Sequence, residues 1–156
     1  MTKFLLTLHV LAAIVAVGPV TVAASMFPPA ARRAAAAAGD EAPTAVGTVR
    51  LLHRICRVYA RLGIAVPVLG FATAAAMGVL GDAWLVTSIT LTTVAAGILI
   101  AFVLPGQDEL LGELAGRQAV ERADTVRLAM FTGVFNILWA TVTVLMIVRP
   151  GSTTGA

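Results

Sequence analysis

Two histidines, one cysteine and five methionines are the side chains of this sequence best suited to bind a soft metal or a haem iron. His9 is the most unusual of them. It lies about five residues into an apolar run, Phe4 to Phe27, that contains no charge. An ionisable group inside such a run is costly in lipid unless it faces the protein interior, so it is a functional-site candidate by default. Two readings follow. The imidazole either hydrogen-bonds a neighbouring helix or serves as a ligand to a metal or haem. Met77 is the natural second ligand, because a His/Met pair is a known axial set for haem b. Ala12, Ala13 and Ala16 flank His9, while Gly70 and Thr73 flank Met77. Two such small faces either pack tightly or leave a slot for a flat cofactor.

The remaining chemistry is sparse. Cys56 is the sole cysteine, so no intrachain disulfide forms. No CxxC, HExxH, GxxxxGK[ST] or GxSxG pattern occurs, and no nucleophile–base pair is visible, so the residues point away from an enzyme. Arg50, Arg54, Arg57 and Arg61 fall at i, i+4, i+7 and i+11, one face of a helix. They read as a solvated face that fixes orientation, or as a contact for an acidic lipid or partner. His53, beside that stripe, reads as solvated. Asn136 lies inside an apolar run and reads as a helix-packing amide.

These residues must be held by membrane helices. The 156 residues are 59% hydrophobic and only 12% charged, about half the charge of a soluble domain. A hydrocarbon core of ~30 Å needs ~20 apolar residues at helical rise. Four runs meet this, at about 4–27, 62–80, 84–104 and 128–148. The expected fold is an all-α integral membrane four-helix bundle, one domain over 1–150 with a disordered tail at 151–156. Pro28-Pro29 and Pro105-Gly106 read as exits from spans 1 and 3. Residues 30–42 read as a polar connector with a turn at Gly39-Asp40. A helical pattern from Thr44 runs on into span 2, and a surface helix from Asp108 to Ala123 runs on into span 4, giving juxtamembrane helical extensions of spans 2 and 4. Span 3 is rich in hydroxyls, which can bond their own i−4 carbonyls and need not line a pathway.

Four spans place connectors one and three on one side with nine arginines, against Lys3 and Arg149 on the other. The basic excess marks the first side as cytoplasmic, with both termini outside. The same excess explains the sequence pI of about 10.0 without nucleic acid. His9 would then sit roughly 8 Å below the outer surface, with Met77 at a similar depth. Ten of the eleven basic residues are Arg, which hints at a GC-rich bacterium and its inner membrane.

The opening FLLTLHVLAAIVAVGPVTVAASMFPPAARR resembles a family of uncharacterised bacterial four-span "predicted integral membrane proteins", a domain of unknown function. Its LHVLAA start is also similar to the first helix of copper-resistance D-type proteins and of J-type protoporphyrinogen oxidases. The latter resemblance implies a haem axial ligand at His9 and, more loosely, a partner at Met77; the former implies soft ligands at His9, Met26 and Met77. The stretch that follows the histidine departs from the oxidase pattern, reading Ala16-Val17-Gly18-Pro19. The expected role is a non-enzymatic accessory or haem-binding membrane component, partnered by the bilayer and by other subunits or itself. A structural scaffold is the alternative, and a small metal or solute permease the third.

Overall fold

A computed structural model describes residues 1–151; the tail expected from 151 lies, from 152 on, outside the described residues. The described chain is all helix: α1 (Thr2–Ala36), α2 (Glu41–Leu62), α3 (Ala65–Met77), α4 (Ala83–Ile98), a π-helical turn (Leu99–Val103), α5 (Leu104–Ala115) and α6 (Arg122–Val148). They group into four rods long and apolar enough to cross a membrane: Thr2–Ala36, Glu41–Met77, Ala83–Ala115 and Arg122–Val148.

Pro28-Pro29 does not end the first rod. Helix α1 runs through both prolines to Ala36, so Ala30–Ala36, expected as connector, is helical. Packing overrides the local penalty. The buried residues Val20, Ala24, Phe27, Ala31 and Ala34 repeat at four and three residues, straight through the prolines. On α2 the same repeat runs Ala45, Val49, Leu52, Cys56 and Tyr59, within the same core. Alternating steps of four and three keep one seam facing an antiparallel neighbour. The alanines let the two helices approach closely. The reversal between them is Gly39-Asp40, where Gly39 takes φ +57°.

The second rod breaks where Pro67 lacks an N–H. The Gly63 carbonyl, which would accept from residue 67, instead takes the Val66 N–H at 3.1 Å, one residue short of helical spacing. Helix α3 ends at Gly78, whose φ of +70° lets the Val79 N–H reach the Ala74 carbonyl at 3.2 Å.

The third rod does not end at Pro105-Gly106 either. The Leu104 N–H reaches back five residues to the Leu99 carbonyl. This wide turn lies against Pro105, whose ring would crowd the Ala101 carbonyl in a regular helix. Residues 108–115 therefore extend span 3, and the expected surface helix leading into span 4 is interrupted. Helix α5 stops at Ala115, Arg117 takes φ +53°, and α6 begins at Arg122.

In the third rod the hydroxyls of Thr87, Ser88, Thr90 and Thr93 donate to carbonyls four residues back, at 2.8–2.9 Å. They are satisfied within their own helix. The main core lies toward the arginine-rich end, between α1, α2, the π-helical turn, α5 and α6. Among the described residues the opposite end has a small cluster of Ala74, Trp84 and Leu85. Large apolar side chains such as Ile14, Phe71, Ile100 and Ile147 face outward along the rods.

Candidate functional site

The most concentrated polar chemistry is a buried group at the arginine-rich end. His53 sits on the seam of α2, four residues after Val49 and three before Cys56, and is buried, contrary to the solvated position expected for it. Its Nδ1 donates to Gln107 Oε1 at 2.9 Å. The Gln107 amide donates in turn to Cys56 Sγ at 3.5 Å, a long contact typical of sulfur. His53 Nε2 lies 2.9 Å from Asp108 Oδ1. Nε2 makes no hydrogen bond there, and the contact is an ion pair only when the ring carries both protons. Phe27 of α1 meets the ring edge-on, with centroids 6.5 Å apart. Gln107 and Cys56 have no exposed surface.

The π-helical turn gives this group its geometry. Beyond it, Gln107, Leu110 and Leu114 fall on the inward face of α5, while Asp108 stands at the rim. One imidazole thus ties span 2 to span 3. Sequence reading missed it because His53 was judged by its arginine neighbour. The available signal was its place on the Val49–Leu52–Cys56 stripe.

Arg50, Arg54, Arg57 and Arg61 are all exposed on one face of α2. Among the described residues no carboxylate lies within ion-pair distance of them; the single pair is His53–Asp108. Where spans 2 and 3 face each other, Arg57 and Arg61 form one wall of a groove of about 340 Å³, with Ile100, Leu104 and Asp108 on the other.

His9 and Met77 are not brought together. His9 is buried, and its Nδ1 lies 3.0 Å from the Val66 carbonyl oxygen. A carbonyl only accepts, so Nδ1 carries the proton and, in the neutral ring, Nε2 carries the lone pair. The ring packs on Gly70, where a Cβ would stand 2.8 Å from His9 Cε1. Met77 lies seven residues further along α3, roughly 10 Å of helical rise. The two small faces pack tightly at the level of Gly70, leaving no slot for a flat cofactor there. Asn136 on α6 donates to Ser25 Oγ on α1 at 3.0 Å, an interhelical bond. Met26 faces outward from α1. Among the described residues no cluster of three or more His, Cys, Asp or Glu is placed to hold a metal ion.

No family model, no curated protein and no solved structure matches this chain.

Proposed function

We propose that this chain is a non-enzymatic accessory or scaffolding protein of a bacterial inner membrane, with its arginine-rich end in the cytosol and both termini outside. The observation that carries the reading is where its interior polar groups go. His9 bonds α3, His53 bonds α5, and Asn136 bonds α1. Each is used to join helices, and interhelical polar bonds are the usual glue of membrane bundles. The outward faces that remain are apolar helix surfaces suited to lipid or to another span.

Photocrosslinkers at Ile137, Val144 and Ile147, all outward-facing on α6, test this in native membranes. A discrete adduct with one membrane protein, or with a second copy, is expected. Adducts with lipid alone at every position would reject a scaffolding role.

A second reading rests on the His9 tautomer. With Nδ1 tied to a carbonyl, Nε2 is oriented in the way that ligating imidazoles are usually held. His9 would then be a lone axial ligand, without Met77. Purification from haem-replete cells decides it. A Soret band that disappears in His9→Ala supports the ligand role, and a colourless protein rejects it.

A further inference from the structure

We propose that the groove between spans 2 and 3 is a binding site for one anionic phospholipid, with its phosphodiester on Arg57 and Arg61 and an acyl chain along Ile64, Ile100 and Leu104. The inference rests on placing the arginine-rich end at a membrane face, but not on the scaffolding role.

Two backbone irregularities border the groove. Span 2 has its helix break at Gly63-Ile64, where bonding tightens to three-residue spacing, and span 3 carries its π-helical turn at Leu99–Val103. Ile64, just past the break, and Ile100, within the π-helical turn, both line the space of about 340 Å³. Ala60 keeps the wall low between the two arginines and Ile64. The groove therefore changes character along its length, from guanidinium to hydrocarbon, as a phospholipid does.

Charge selects the headgroup. Among the described residues Arg57 and Arg61 have no carboxylate partner, and they stand one turn apart on α2. A phosphate between them accepts from both, and guanidinium matches phosphate geometry well. Asp108 is the third charged group on the groove. One of its oxygens is at His53, leaving the other to accept a bond from a headgroup hydroxyl. Two guanidiniums and one carboxylate sum to +1, the complement of a single phosphodiester. A glycerol headgroup fits this set; a choline headgroup offers no hydroxyl and brings a cation toward the arginines.

The test is native mass spectrometry of the full chain in detergent, titrated with phosphatidylglycerol, phosphatidylcholine and inorganic phosphate. One phosphatidylglycerol should be retained about tenfold over phosphatidylcholine, roughly 1.4 kcal/mol. The preference should vanish in Arg57→Ala/Arg61→Ala and persist in Arg50→Ala/Arg54→Ala, whose arginines do not line the groove. Ala60→Phe should also abolish it while leaving every charge in place. Equal retention of both lipids overturns the proposal. So does an equal loss in the two double variants, which would mark diffuse charge attraction. Displacement of the lipid by millimolar phosphate would show a headgroup site alone and overturn the acyl-chain assignment. None of these readouts depends on whether another membrane protein is captured, so the site and the scaffolding role stand or fall separately.

Discussion

Gly70 and His9 show how one hydrogen atom in place of a methyl sets a helix contact. A Cβ at position 70 would meet both Cε1 and Nδ1 of the imidazole, at 2.8 and 3.2 Å. The ring is pinned by Val66 and has little room to yield. Gly70→Ala should therefore lower stability by about 1–3 kcal/mol, as overpacking does. In a His9→Ala background the clash is gone, and the same change should stabilise by up to ~1 kcal/mol through helix propensity. Unfolding in mixed micelles measures both, and a change of the same sign in the two backgrounds would refute the contact. Glu113, on α5 past the apolar run 84–104, carries a different strain. Burial first, then repulsion from Asp124, Glu109 and Glu121, raises its carboxyl above the ordinary value of 4.5. One of its oxygens is buried with no partner. A raised folded-state pKa means that the folded chain holds this proton more tightly than the unfolded chain does. Stability then falls as pH rises from 4.5 through the raised value, and the penalty stays in force above it. Glu113→Gln should raise the unfolding midpoint at pH 7 and lose that advantage in acid below the ordinary glutamate pKa.

Among the elements, α1 carries the sharpest claim: it crosses Pro28 and Pro29 without ending. Proline inside a helix costs about 3 kcal/mol relative to alanine. Pro29→Ala should then stabilise the protein by on the order of 1–3 kcal/mol. A neutral result would mean that the chain leaves the helix there, as the two prolines suggest in isolation. The apolar runs and the arginine face were legible in the sequence because each is a local pattern, periodic or continuous. The turn at Gly39-Asp40 was legible because glycine tolerates positive φ. The break between α5 and α6 was not, because its left-handed residue is Arg117 while Gly116 keeps φ −79°. The run through Pro28-Pro29 was hidden for the opposite reason, since packing from Val49, Leu52 and Cys56 outweighs a strong local stop signal. The His53 cluster needed a partner 54 positions away, and its placement needed the π-helical turn, which no periodicity announces. The place of His9 within the first apolar rod and its bond to a neighbouring helix lie within one of the two readings that its surroundings allowed.

For the whole molecule, the connectors 37–40 and 116–121 lie at the arginine-rich end, and 78–82 lies at the other. Thiol labelling in intact cells tests which end faces the cytosol. In a Cys56→Ser background, Asp40→Cys and Gln118→Cys should react only after permeabilisation, and Gly81→Cys should react before it. The reverse pattern would invert the proposed orientation and move the arginine groove to the outer leaflet.

The most extensively packed part of the molecule is the arginine-rich end. Helix α1 is 35 residues long, roughly 50 Å against a hydrocarbon core of ~30 Å. Its seam with α2 stays packed to Ala34. The far half, with its small cluster, is where the rods can splay or tilt. A thicker or thinner bilayer would thus be accommodated by leaning of the distal segments about Gly63 and the π-helical turn. The histidine knot beneath them would act as a fulcrum and keep its form.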